Sequence, residues 1–282
     1  MKITFIGYDY TLDIAERLKE DGHDILHMFT FPCDGCFSFN TQMFAFADSL
    51  GIPITDAKIE PQHINDLVKQ GCDMFVCAGY LYKIPPLPEG VFGINHHPAL
   101  LPRGRGIMPL SYIIMEDQQA AGFTLHKLAP TYDSGDILFQ QAITINESTS
   151  IETLSAKIAI HAPEAISTVV SNIKHYWAAA IPQDHSQASS YPAPNDDMRS
   201  LSWHDTAKDL NLKGNAFGRF GTFAMIRTAK GIFQKLLVFH FTAWEEKHHH
   251  RVGALLRSSS NEIIVAINEG YICLEEFQLV QP

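Results

Sequence analysis

The run CDMFVCAGY, Cys72 to Tyr80, constrains the fold more than any other stretch of the chain. After Asp73 it is continuously apolar, it is too short for a typical helix, and it closes on a glycine and a tyrosine. Such a run suits a strand covered on both faces, as at the centre of a parallel sheet. Its neighbours repeat the theme: KITFIGYD (Lys2 to Asp9), DILHMFTF (Asp24 to Phe31) and VFGINHH (Val91 to His97) read as further strands, and IPITDAK as a short extended piece. Between them, LDIAERLKEDG, TQMFAFADSLG and INDLVKQG place apolar residues at helical spacing and stop on glycine. Strands alternating with helices specify an α/β fold built on an open, doubly wound, mostly parallel sheet. Ligands of such sheets sit in the crevice beyond the carboxyl ends of the strands, where Asn95 to Gly106 falls.

AGFTLHKLAP (Ala121 to Pro130) and DILFQQAITI (Asp136 to Ile145) read as two more strands joined by TYDSG. Ser150 to Trp177 carries a long helical pattern opened by SIET, a capping turn. At Gln183 the character changes. QDHSQASSYPAPNDD is polar and proline-bearing, and a linker is expected over residues 183–202, separating a domain at 1–182 from one at 203–282. Beyond Trp203, five short β-rich runs separated by turn signals predict a small β-rich, barrel-like domain. No internal repeat is evident.

With 46% hydrophobic residues over 282 positions the chain can bury a sizeable core. No apolar run approaches the roughly 18 residues of a membrane span, and MKITFIGYDY lacks the apolar stretch of a secretory signal. Five cysteines, an odd number, fit reduced thiols in a cytoplasm. The 21 Lys and Arg stand against 31 Asp and Glu, a formal charge of −10 with no clustered basic block. That argues against nucleic acid as the principal ligand, since a phosphate-gripping protein usually carries a basic face.

Several constellations could carry chemistry. Asn95 can donate to a developing oxyanion. His97 can donate to it when protonated or move a proton when neutral, and the carboxylate of Asp133 can raise its pKa and orient it. Spacing alone equally allows a satisfied loop histidine and a plain Asx turn at Asp133-Ser134-Gly135. Cys33-Asp-Gly-Cys36 is a lone CxxC in a loop and reads as two ordinary thiols. His248-His249-His250 point in different directions and read as a solvated turn between strands, so no metal site is expected. The first strand is followed by one glycine, without the GxGxxG of a dinucleotide site, and no serine sits in a GxSxG context.

Asn95-His96-His97-Pro98-Ala99-Leu100-Leu101-Pro102, followed by Arg105-Gly106 and Pro109, resembles the NxHPSLLPxxRG signature of the N10-formyltetrahydrofolate-dependent formyltransferases. Gly122-Phe123-Thr124-Leu125-His126 looks like the GxTxH strand of that family, and Asp133-Ser134-Gly135-Asp136-Ile137 like its D-[ST]-G-x-I loop. The likeness extends loosely from Met1 to about Trp177, and the β-rich tail is similar to the OB-like carboxyl-terminal domain of the methionyl-tRNA enzymes. The resemblance implies a cytoplasmic transferase that moves a formyl group to an amine, with Asn95, His97 and Asp133 catalytic and His96 in the variable position. It implies a folate crevice at Ala78, Gly79, Tyr80, Leu81 and Leu101, with the pterin met by the backbone of Ala129, Pro130, Thr131, Tyr132 and Asp136, and no metal. Ala99, where the family often has Ser, and Arg103-Gly104, where an aromatic is common, depart from the pattern and leave the acceptor pocket open.

For the acceptor, the family offers methionyl-tRNA, nucleotide-linked amino sugars and amino-acid or hydroxyornithine-type amines. The stretch PCDGCFSFNTQMFAF stands where the tRNA enzymes carry a basic insertion, and it holds no Lys or Arg and four phenylalanines. With the −10 charge, this favours a small-molecule acceptor, a nucleotide-linked amino sugar first, with tRNA as the alternative. Phe44 and Phe46 are equally well placed to be helix core. A non-catalytic folate-binding protein is the alternative of another class, and a homodimer is an open expectation.

Overall fold

The computed structural model describes residues 1–33, 38–228 and 231–280. In chain order its elements are β1 (Lys2–Ile6), α1 (Leu12–Glu20), β2 (Asp24–Phe29), α2 (Thr41–Leu50), β3 (Ile54–Thr55), α3 (Pro61–Lys69), β4 (Met74–Ala78) and β5 (Phe92–His97). Then come β6 (Arg105–Gly106), α4 (Pro109–Met115), β7 (Gly122–Lys127), β8 (Ile137–Ala142), α5 (Ile151–Ser171), α6 (Ile173–Ala178), β9 (Ser190–Tyr191) and α7 (Asp196–Arg199). The last are α8 (Ala207–Phe217), β10 (Thr222–Arg227), β11 (Phe233–Glu245), β12 (Leu255–Ser258), β13 (Ile263–Ile267) and β14 (Gly270–Leu279). The chain forms two compact units, the first from Met1–Pro109, Gln119–Thr144 and Ala156–Tyr191, the second from Leu110–Gln118, Ile145–Ser155 and Pro192–Pro282.

Unit 1 is built on a seven-stranded sheet of order β3-β2-β1-β4-β5-β7-β8. The first five strands are parallel, and β7 and β8 run antiparallel to their neighbours. All five residues of β4 are buried, as its unbroken apolar run requires of a strand covered on both faces. Helix α1 turns Leu12, Ile14, Ala15 and Leu18 inward, and α3, with Pro61 pre-set in its first turn, buries Ile64 and Leu67 beside Ile6, Phe29 and Phe75. Strand order reverses between β1 and β4, because the chain builds outward through β2 and β3 on one side and through β4 and β5 on the other. In sheets of this order ligands sit at the carboxyl ends of the strands beside such a reversal, and β5 ends on that edge.

Unit 2 centres on a five-stranded antiparallel sheet of order β10-β11-β14-β13-β12. Strand β10 alternates strictly, with Thr222, Ala224 and Ile226 inward and Met225 and Arg227 exposed, the pattern of a sheet with one solvated face. Its core gathers Leu210, Leu236, Val238, Val265, Ile272 and Leu274. The β-rich expectation is met by an antiparallel unit, but among the described residues its terminal strands β10 and β12 do not pair, so the sheet does not close into a barrel.

Three expectations change. Residues 183–202 are divided between the two units instead of lying between them: Ser190–Tyr191 form β9 against β6, and Asp196–Arg199 form α7. Two-residue strands are too short to leave a hydrophobic period. In α2 the buried positions are Met43 and Ala47, while Phe44 is exposed, so that phenylalanine is not helix core. Helix α8 falls within residues 203–282, expected to be a small β-rich domain, ahead of its strand-like runs; its start is set by Thr206, whose hydroxyl accepts from the Asp209 N–H at 3.1 Å. The SIET cap does form, with Ser150 Oγ accepting from Thr153 N at 3.3 Å. Of the CxxC, Cys33 is a free thiol whose sulfur accepts from Phe39 N, and Cys36 lies outside the described residues.

Candidate active site

Strand β5 delivers the site. Side chains alternate along a strand, so Asn95 and His97 share one face and His96 takes the other. His96 is buried with its ring 5.4 Å from that of Phe123, and its Nε2 has no hydrogen-bond partner among the described residues. Burial, then the neighbouring His97 and His126, push its pKa down from 6.5 to about 3. It is a neutral packing residue.

The opposite face converges on Asp133. The turn after β7 places this aspartate in the left-handed region, φ 52°, which costs a residue with a Cβ about 1 kcal/mol. Gly135 allows the turn to lie against β7, since a Cβ there would stand 1.8 Å from the Lys127 carbonyl oxygen. Asp133 Oδ2 accepts from the Gly106 N–H at 3.0 Å. Its Oδ1 lies 3.4 Å from Asn95 Nδ2, 3.4 Å from His97 Nδ1 and 3.6 Å from His126 Nε2. Burial would raise this carboxyl, but the polar groups gathered around it, the Gly106 N–H among them, outweigh burial and hold the pKa at about 2. Asp133 is therefore a carboxylate throughout the physiological range.

His97, 5% exposed, is hydrogen-bonded through one ring nitrogen and turns the other towards Asp133. Nε2 lies 2.7 Å from the Gly104 carbonyl oxygen, which can only accept, so Nε2 carries a hydrogen. Nδ1 then faces the carboxylate. Burial is the largest influence and lowers the His97 pKa, while Asp133 and the Gly104 carbonyl pull it the other way. The expectation that Asp133 lifts His97 into its protonated form meets this burial, and the net direction is downward. The Gly104–Gly106 turn is itself tightly seated: Gly106 has φ 116°, and a Cβ there would stand 2.1 Å from Tyr191 O.

The structure thus brings Asn95, His97 and Asp133 together. It adds His126, which sequence reasoning left as part of a strand motif without a role. The Lys127 carbonyl, 2.8 Å from Nδ1, fixes the hydrogen there, so Nε2 accepts from the Asn95 amide at 3.0 Å. Its position on β7 directly opposite Asn95 in the ladder is the signal that could have found it.

The expected folate positions are less uniform. Ala78 closes β4, and Gly79 and Leu81 are exposed at its carboxyl end. The Tyr80 hydroxyl is committed elsewhere, donating to Ala57 O and accepting from Ile59 N, and burial pushes its pKa up to about 12. Leu101 is buried, with its N–H donated to Thr124 Oγ1 and its carbonyl accepting from Gln140 Nε2, so its backbone has no free donor to offer. Pro130, Thr131 and Tyr132 are exposed, while Asp136 pairs with Lys127 at 3.0 Å. Among the described residues no group of three or more His, Cys, Asp or Glu is placed to hold a metal ion. His248 Nε2 donates to the Ile267 carbonyl at 2.9 Å, and its ring lies 4.8 Å from that of Tyr271. A cavity of about 670 Å³ in unit 2, lined by Glu152, Asn211, Arg219, Phe241 and Glu276 among others, contains none of the expected site residues.

Residues 41–170 match the formyl transferase family. The methionyl-tRNA formyltransferase of Ruminiclostridium cellulolyticum is 25% identical over 99% of this chain and 92% of its own length. Among solved structures, HypX from Aquifex aeolicus in complex with tetrahydrofolic acid superposes with a TM-score of 0.71 at 16% identity over the whole of this chain, which spans 44% of that protein. An N-formyltransferase from Helicobacter canadensis in complex with folinic acid and dTDP-3-aminofucose superposes with a TM-score of 0.67 at 14% identity, covering 98% of this chain and 99% of that one.

Proposed function

In an enzyme that carries a formyl transferase domain, as this chain does over residues 41–170, we propose that Asn95, His97 and Asp133 transfer a formyl group from N10-formyltetrahydrofolate to the amine of a nucleotide-linked amino sugar. The observation that carries this reading is the buried cluster itself: an amide and an imidazole on one face of β5, aligned on one carboxylate. An unprotonated amine attacks the formyl carbon, a C–N bond forms, and negative charge grows on the formyl oxygen. The Asn95 amide and the Nε2 hydrogen of His97 are the donors in reach. At rest His126 and Gly104 occupy them, and the growing charge competes for those hydrogens, as catalytic contacts tighten only in the reacting complex. Each such donor contributes about 3 kcal/mol to lowering the barrier. The proton released by the amine passes through a water beside the Asp133 carboxylate and reaches N10 as the C–N10 bond breaks.

For the acceptor, the support is the excess of acids and the aromatic character near the switch point. The ring of Tyr8, after β1, lies 5.7 Å from Tyr10 and 5.8 Å from Phe31, and flat apolar rings there suit a base. Methionyl-tRNA is the second reading, and it rests on the near full-length similarity to an enzyme of that name. The two separate in one assay: protein and N10-formyltetrahydrofolate with nucleotide-linked amino sugars, hydroxyornithine and methionyl-tRNA, products read by mass spectrometry. A formylated amino sugar is expected. Formylation of methionyl-tRNA alone would move the assignment, and folate binding without any formylated product would make the chain a folate-binding protein.

A further inference from the structure

Gln183 lies beyond the residues matched by the formyl transferase family and in a stretch whose composition reads as a linker. It is nonetheless 6% exposed, and its side chain is spent on the backbone of the candidate site. Nε2 donates to the carbonyls of Asp133 at 2.9 Å and Gly135 at 2.7 Å. Oε1 accepts from Arg105 Nη2 at 2.6 Å. Arg105 sits between Gly104, whose carbonyl receives the His97 Nε2 hydrogen, and Gly106, whose N–H holds Asp133 Oδ2. One amide therefore bridges the two turns that place the carboxylate and the imidazole. The segment that carries it is fastened along its length: Ile137 and Ile181 exchange backbone hydrogen bonds, Gly104 N donates to Ser189 Oγ, and Arg105 N donates to Ser189 O.

We propose that Gln183 is a positioning residue for formyl transfer: it stabilises the left-handed turn at Asp133 and keeps that turn in register with Gly104–Gly106, acting through Asp133 without touching substrate. The physical basis is that Asp133 is held against its own backbone preference. An unfavourable conformation persists only where surrounding bonds over-determine it, and here the two carbonyls flanking the turn's centre both rely on Gln183. Without those donors, two buried carbonyls lose their partners, and the turn relaxes to recover them from water. The carboxylate then shifts relative to Asn95 and His97, and a displacement near 1 Å is enough to cost a large factor in rate.

The inference rests on the formyl-transfer reading, and its test keeps the two apart. Gln183→Leu is expected to lower kcat by about 30-fold, with KM for formylfolate within about threefold of wild type. Hydrogen exchange at the Gly106 amide should quicken in the same variant, and that readout needs no turnover. In an Asp133→Asn background the same substitution should change kcat by less than about twofold, because the residue through which it acts is already disabled. Should Gln183→Leu fail to fold, Gln183→Glu serves instead, since it keeps the shape and the Arg105 contact but sets an oxygen against the two carbonyls. Wild-type kcat, unchanged Gly106 exchange, full additivity with Asp133→Asn, or loss of folding in both variants would each overturn the proposal. If the wild-type protein transfers no formyl group, the Gly106 exchange still decides whether the clamp exists.

Discussion

The two units solve the problem of burying polar groups in opposite ways. In unit 1, His96, His97 and His126 are all buried, and two of them crowd one carboxylate with an amide beside it. In unit 2 the buried polar side chains among the described residues are Ser111, Asp117, Thr149 and Thr222; Ser111 and Thr222 bond to the Ala216 and Val238 carbonyls, while the sheet packs on aliphatic side chains. Buried titratable groups are costly unless each finds a partner. A fold that gathers three histidines and a carboxylate at the ends of neighbouring strands gives up stability there, whereas the antiparallel sheet of unit 2 buries aliphatic side chains at its centre.

That contrast can be broken by substitution. Asn95→Ala and His97→Ala should each lower kcat by about 10²- to 10³-fold while leaving the melting temperature nearly unchanged, measured by formylfolate turnover and thermal unfolding. Leu274→Ala in unit 2 should do the reverse: Leu274 is fully buried, so about 2 to 5 kcal/mol of stability goes with the cavity, with turnover well below the melting point unaffected. Loss of turnover without loss of stability there would blur the distinction.

Acid sharpens it. His96 holds a pKa of about 3 in the folded chain against 6.5 ordinarily. Between those values the unfolded chain binds a proton that the folded chain does not, so the contribution is intact above pH 6.5 and is lost as pH falls toward 3. His96→Leu should therefore lose less melting temperature between pH 7 and pH 5 than wild type; equal losses would remove His96 from the account. Smallest of all, Thr206→Ala, which removes the cap of α8, should cost about 1 kcal/mol by denaturant unfolding and nothing in turnover.

Much of unit 1 was legible because its signals are local. The apolar run of β4 states its own burial, and Asn95, His97 and Asp133 lie in motifs that resemble those of a known family, although spacing alone left their chemistry open. What escaped depends on distance in sequence. His126 acquires its place from lying across a ladder from Asn95. Gln183 looks like linker because polar side chains that bond to backbone carbonyls leave no hydrophobic period. The downward direction of the His97 pKa also escaped, since spacing reveals the carboxylate beside it but not the burial that opposes it.

The central claim is that Asp133 organises formyl transfer, and Asp133→Asn tests it most directly. The substitution keeps the shape of the side chain and removes its charge. With saturating N10-formyltetrahydrofolate and a formyl acceptor, kcat should fall by at least about 10³-fold with the folded structure and folate affinity retained. Turnover within about tenfold of wild type, by a protein that still melts cooperatively at the wild-type temperature, would contradict it.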